Sequence, residues 1–259
     1  MKYINACIIA FAMYSKIPMP RVDWKKENMK YAMCFFPWVG AVIGACFYFW
    51  GRFSEKMSVG NILQAVVLTV IPVLITGGIH LDGLLDTADA LSSYQPKERR
   101  LEILKDSHAG AFAIITGCLY FLLYFGFSSE LILGAESAGK GVAVVAAGFF
   151  FSRCLSGFAV TAFPCAKGSG LLATFANGAD KKRAGTILLI EGVLSAAFLL
   201  WLNLSLGAVA IVAAMLTFFW YHHMSVEKFG GITGDLAGCF LQVCELMILI
   251  AVVAAEKLM

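Results

Sequence analysis

The sequence predicts an all-α, polytopic transmembrane bundle of about seven spans, preceded by an N-terminal amphipathic or re-entrant helix. Three observations carry that expectation. Of the 259 residues, 60% are hydrophobic and only 14% charged, against about 25% charged in a soluble domain, too few to cover a water-facing surface. The apolar residues gather into blocks near twenty residues long, the helix length that crosses a hydrocarbon core of roughly 30 Å. Finally, 15 of the 20 Lys and Arg lie in four segments, which the positive-inside rule places together in the cytoplasm.

Residues 1–30 form the N-terminal amphipathic segment. Its apolar start, Met1–Ala12, lacks a small-residue cleavage site and runs directly into Lys16-Ile17-Pro18-Met19-Pro20-Arg21, so it reads as part of the mature protein. Two prolines one residue apart cannot continue a helix, and the chain turns there. Seven spans follow, at roughly Tyr31–Trp50, Val59–Ile79, Ala109–Phe127, Gly141–Phe163, Gly185–Trp201, Leu204–Tyr221 and Leu236–Ala255. Pro37 and Pro72 fall inside spans, where neighbouring helices can satisfy the carbonyls they free. Gly40 and Gly44, at GxxxG spacing, suit close helix approach.

The basic segments are Met1–Lys30, His80–His108, Pro164–Ala184 and His222–Asp235. With these in the cytoplasm, the C-terminus faces outward and residues 80–108 form a cytoplasmic catalytic loop. No repeat or separate soluble domain appears, and residues 1–259 read as a single integral membrane domain. The net charge of +3 is too small and scattered for nucleic-acid binding. None of the eight Cys forms a CxxC pair or a zinc-ligand cluster, and they read as small hydrophobes within spans.

Chemistry concentrates at the end of the second span. Asp82, Asp86 and Asp89 are spaced i, i+4, i+7, which on a helix puts them within about 60° of one another. Three unpaired carboxylates on one face beside a bilayer repel each other and are costly. A divalent cation removes both problems, and oxygen ligands without Cys suit Mg²⁺ or Mn²⁺. Gly77, Gly78 and Gly83 leave room for a phosphate or metal near the backbone. The alternative is a solvated acidic turn in which Asp82 or Asp86 caps a helix; three carboxylates with His80 beside them fit it poorly.

Basic residues accompany this loop: Arg99, Arg100 and Lys105 on one segment, and Lys167, Lys181, Lys182 and Arg183 on another. Lys105-Asp106-Ser107 puts cation, carboxylate and hydroxyl together just before a span, a phosphate- or metal-binding pattern. Gly230-Gly231-Ile232-Thr233-Gly234-Asp235 is a glycine-rich turn whose N–H groups can form a phosphate nest around Thr233 and Gly234, with Asp235 a further metal ligand. Arg153, inside a span, must pair with a carboxylate, bind phosphate or snorkel to the interface.

The stretch from Gly77 to Ala90 resembles the signature of the cobalamin synthases, the adenosylcobinamide-GDP ribazoletransferase family. Arg100–Gly110 is similar to the family's Arg-x-x-Ile-Met-Lys-Asp-Ser-x-x-Gly, Phe229–Gly238 to its Gly-Gly-x-Thr-Gly-Asp block, and Lys16–Pro20 to its Arg-Ile-Pro-x-Pro, with Lys in place of Arg. Four blocks in order span nearly the whole chain. The resemblance implies a Mg²⁺-dependent membrane transferase that joins α-ribazole (or its 5′-phosphate) to adenosylcobinamide-GDP and releases GMP. On that reading Asp82, Asp86 and Asp89 hold Mg²⁺, with Asp106 and Asp235 as further ligands. Lys105 steadies the phosphates, Arg100 and Ser107 assist it, and His80 or a carboxylate takes the ribazole proton. The expected partners are those two substrates and the lipid bilayer; an assembly of several copies is compatible with it.

Two rivals differ in class. A CDP-alcohol phosphotransferase also gathers aspartates at a membrane, but its Asp-Gly-x₂-Ala-Arg pattern fails here at Asp86-Thr87. A transporter would carry its charges along a pathway through two matching halves, whereas these acidic residues sit at one helix end.

Overall fold

A computed structural model of the chain describes residues 2–133, 138–166 and 181–258. Its elements are α1 (Lys2–Tyr14), α2 (Lys26–Met29), a 3₁₀ turn (Ala32–Phe35), α3 (Phe36–Lys56), α4 (Asn61–Thr76), α5 (Ile79–Ser92), α6 (Lys97–Ile103), α7 (Ala111–Leu133), α8 (Ala138–Ala162), α9 (Lys181–Leu202), α10 (Leu204–Phe229) and α11 (Gly234–Leu258). Among the described residues there is no strand, only an isolated bridge between Cys165 and Ile232.

The 3₁₀ turn with α3, and α7 to α11, make six helices long and apolar enough to cross a membrane. Only α4 departs from the expected spans. Its 16 residues rise about 24 Å, short of the roughly 30 Å core. The chain then turns by 94° into α5. The expected catalytic loop therefore begins as a helix laid across the bundle, and α4 with α5 counts as a seventh span only as a broken one. The 13 residues of α1 are also too short to cross. This helix buries Ala6, Ile9 and Ala10 and packs beside the 3₁₀ turn and α3.

The central helices are α8 and α11, the most enclosed of the six. The outer ones, α7 and α9, expose Ile115, Leu119, Leu122, Leu189, Val193 and Leu194, surfaces suited to acyl chains and not to water. Helices α3 and α8 approach closely at the two glycines. A Cβ on Gly40 would lie 2.2 Å from the Phe149 carbonyl oxygen, and one on Gly44 would lie 2.1 Å from that of Ala146. Pro37 lies inside the first span, as expected, in the first turn of α3, where no intrahelical N–H bond is lost. Pro72 is inside α4, where Thr76 donates its hydroxyl to the Pro72 carbonyl at 2.8 Å.

Arg153 neither snorkels nor faces solvent. Completely buried, it donates Nη1 to Glu245 Oε1 at 2.6 Å and to the Phe149 carbonyl at 2.9 Å. The pair ties α8 to α11 through the middle of the bundle.

Candidate active site

The site starts at the α4–α5 break. Gly77 and Gly78 have φ of 66° and 81°, the left-handed region that glycine alone enters freely. Beyond them α5 presents two faces. His80, Gly83, Leu84, Thr87 and Ala90 point into the protein; Asp82, Asp86 and Asp89 lie along the other side, Asp82 exposed and the other two half-buried.

The inner face crosses the start of α11 at two glycines. A Cβ on Gly83 would stand 2.5 Å from the Asp235 carbonyl oxygen, and one on Gly238 would stand 3.0 Å from that of His80. Removal of both side chains brings Asp235, from the far end of the sequence, to the aspartates of α5. Burial, then the charges of Asp82, Asp235 and Asp89, push the Asp86 carboxyl up to about 7. No Lys or Arg among the described residues offsets these three carboxylates at Asp86.

Asp89 has a second attachment. Its oxygens accept the backbone N–H groups of Gly110 at 2.6 Å and Ala113 at 2.9 Å. It therefore caps α7 from another helix, a role the sequence suggested for Asp82 or Asp86 on their own helix. A Cβ on Gly110 would fall 2.6 Å from the Asp89 carboxylate. The glycine that ends the 100–110 motif is needed because the carboxylate occupies that space.

The remaining expected residues divide. His80 is 4% exposed and lies on the face of α5 opposite the aspartates, between Tyr14 at 6.1 Å and Phe36 at 5.8 Å between ring centroids. Burial first, then the Arg153 charge, hold it well below the usual imidazole range. It is a neutral core residue, not a neighbour of the carboxylates. Gly77 and Gly83 do not open space for a ligand, because the Lys16 side chain covers Gly77 and the Asp235 backbone fills the place beside Gly83. Gly78 and Gly234 face open space.

On the 97–110 segment, Lys105, Asp106 and Ser107 are all exposed. Asp106 accepts from the His108 backbone at 3.0 Å and contacts its ring at 2.8 Å, which holds the Asp106 carboxyl below its ordinary range. It is engaged in its own turn and not in the acidic cluster. Arg99 pairs with Glu102, and Arg100 donates to the Lys228 carbonyl at 3.3 Å, so Arg100 caps the end of α10. Lys181, Lys182 and Arg183 begin α9; Lys167 lies outside the described residues.

The 230–235 turn is not a phosphate nest over its first half. The N–H groups of Gly230 and Gly231 bond the Val226 and Ser225 carbonyls, closing α10 with Gly230 as a left-handed αL cap, and that of Ile232 bonds the Pro164 carbonyl. Thr233 starts α11, its hydroxyl accepting the Leu236 N–H at 3.2 Å. Lys16, Gly110 and Glu245 lie outside the expected site residues. The Lys16–Pro20 motif was a signal for the first, and an acidic residue inside the last span was one for Glu245.

Among the described residues no three His, Cys, Asp or Glu side chains are gathered tightly enough to hold an ion as they stand. The donor set nevertheless fits Mg²⁺: hard carboxylate oxygens from two helices, with open space at Gly78 and Gly234. Mg²⁺ ordinarily takes one or two carboxylates and completes its shell with water and phosphate oxygens.

The family described as cobalamin-5-phosphate synthase matches residues 6–253. An adenosylcobinamide-GDP ribazoletransferase of Lachnoclostridium phytofermentans is 49% identical over 256 residues, covering 99% of this chain and 96% of the relative. Those of Fusobacterium nucleatum subsp. nucleatum and Clostridium perfringens are 31% and 30% identical, covering 93% and 94% of this chain and 94% and 95% of their own lengths. No solved structure matches the chain.

Proposed function

Because the chain belongs to the cobalamin-5-phosphate synthase family, we propose that it is a Mg²⁺-dependent transferase acting on adenosylcobinamide-GDP. The observation that carries this reading is the meeting of Asp82, Asp86 and Asp89 with Asp235 at the Gly83–Asp235 approach. Two of the motif blocks, far apart in sequence, build one acidic surface.

The acceptor is α-ribazole or its 5′-phosphate. A ribose hydroxyl that is free in both acceptors, and so not the 5′ one, forms a bond through its oxygen to the phosphorus on the cobinamide side. The bond from that phosphorus to the bridging oxygen breaks, and GMP leaves with that oxygen. Mg²⁺, when bound, neutralises charge that builds on the phosphate oxygens. Asp82, Asp86 and Asp235 are the groups that would hold it. Asp89, fixed by the Gly110 and Ala113 N–H groups, adds negative charge and sets where α7 stands relative to α5. The hydroxyl proton goes to a carboxylate of this cluster, since His80 faces the core. Lys105, exposed and without an ion-pair partner among the described residues, is a phosphate contact in this reading.

The crowding of Lys and Arg at the α5 end of the bundle supports a site on the cytoplasmic side of a bacterial inner membrane. The test is an assay of detergent-solubilised protein with adenosylcobinamide-GDP and α-ribazole, with and without Mg²⁺. GMP release is expected only with the ion. Asp82→Asn should abolish turnover while membrane insertion stays normal, and near-normal turnover in that variant removes Asp82 from the site.

A further inference from the structure

Lys16 lies outside the expected ligand set, yet the fold holds it at the α4–α5 break. Its backbone N–H donates to the Ile75 carbonyl at 2.7 Å, which fixes the N-terminal segment to the last turn of α4. Its methylene stem occupies the place of the missing Gly77 side chain: a Cβ on Gly77 would fall 2.3 Å from Lys16 Cε and 2.5 Å from Cγ. Pro18 and Pro20 follow at once and stiffen the exit of the segment. Lysine stems are normally free to sample many rotamers; this one is laid along the backbone.

The ammonium, by contrast, has no hydrogen-bond or ion-pair partner among the described residues, and the side chain is exposed. The next residue along the chain, Gly78, opens onto unfilled space. There α5 begins, with the leading N–H groups of its first turn lacking intrahelical acceptors and Asp82 one turn further on. Arg99 and Arg100 are both engaged elsewhere. A held stem with a free cation, over a glycine gap beside a carboxylate cluster, is an arrangement for an anion that also meets the metal.

The geometry points to Lys16 as a phosphate-binding residue that contacts the pyrophosphate of the nucleoside-diphosphate substrate at Gly78. This rests on the transferase reading above, and it adds the N-terminal motif to the site. Lysine acts here as a point charge on a phosphate oxygen, so arginine should substitute in part.

The test compares the full chain with Lys16→Ala and Lys16→Arg, all purified in detergent, by two measurements. The first is steady-state kinetics with each substrate varied; the second is thermal stabilisation by GDP with Mg²⁺, which needs no turnover. Lys16→Ala should raise the KM for adenosylcobinamide-GDP, and the half-stabilising GDP concentration, about tenfold or more, while the ribazole KM moves less than about twofold. Lys16→Arg should recover both to within about threefold of the parent. Unchanged GDP stabilisation in Lys16→Ala overturns the proposal. So does an equal loss of both KM values with a lowered melting temperature that arginine does not rescue, which would mark Lys16 as a structural peg. If the parent releases no GMP from the activated corrinoid while GDP stabilisation still depends on Lys16, the transferase reading fails and the phosphate contact stands.

Discussion

The Asp89 carboxylate accepts the Gly110 backbone N–H at 2.6 Å, in space that only a glycine at 110 leaves open. One residue of the acidic cluster is thereby also the cap of a membrane-spanning helix. Gly110→Ala should displace the carboxylate and uncap α7. Losing such a cap typically costs about 1 kcal/mol, so a melting temperature lower by about 2–4 °C is expected, with turnover reduced at least about tenfold. Asp89→Asn should weaken the same cap. If circular-dichroism melts and GMP release of Gly110→Ala match the parent, Asp89 does not organise the site through α7.

Asp86 gives a pH dependence with a definite sign. Its carboxyl is pushed from 3.8 up to about 7. A raised carboxyl favours the folded protein while it is protonated, and that stability is lost as pH rises from about 4 to about 7. Without divalent cation, the protein should therefore melt at a lower temperature at pH 8 than at pH 5. Mg²⁺ should remove most of the difference, and its affinity should fall roughly tenfold per pH unit below 7 as a proton competes for the site. Calorimetric melts at both pH values, with EDTA or with Mg²⁺, check this; a metal-free protein equally stable at both would contradict it.

The buried Arg153–Glu245 pair predicts strong non-additivity. Removing either partner leaves a charge inside the bundle, which in buried pairs costs about 3–5 kcal/mol, whereas replacing both with apolar residues is often close to neutral. Arg153→Met and Glu245→Met should each impair folded yield severely, and the double variant should recover most of it. A cycle in which the double variant is as poor as the sum of the singles would mean the pair does more than satisfy itself. Size-exclusion yield and melting temperature in one detergent are sufficient readouts.

How much was legible in the sequence follows from the range of each interaction. Spans and their order are written in hydropathy, and the acidic series Asp82, Asp86, Asp89 is a local spacing on one helix. Gly40 and Gly44 also announced their close packing. By contrast, the crossing of α5 over α11 is decided by Gly83 meeting Asp235, residues far apart in the chain, and no local pattern reports it. The break at Gly77-Gly78 hid inside an apolar run because hydropathy carries no direction. His80 was misplaced for a simpler reason: at 200° from Asp82 on the helix it falls opposite, although the two are close in sequence. The first glycines of 230–235 looked like a phosphate loop because a helix C-cap and an anion nest use the same residue type, and only the Val226 and Ser225 carbonyls distinguish them.

Helix α11 has a consequence for handling this protein. Asp235 and Glu245 stand ten residues apart on it, about 15 Å along one rigid axis, with the acidic surface at one and the buried Arg153 pair at the other. A trimmed, detergent-free version that keeps the acidic surface but drops the last crossing is therefore not available by design. Whatever fixes the depth of that rod in the bilayer also fixes the height of Asp235, its contribution to the acidic surface.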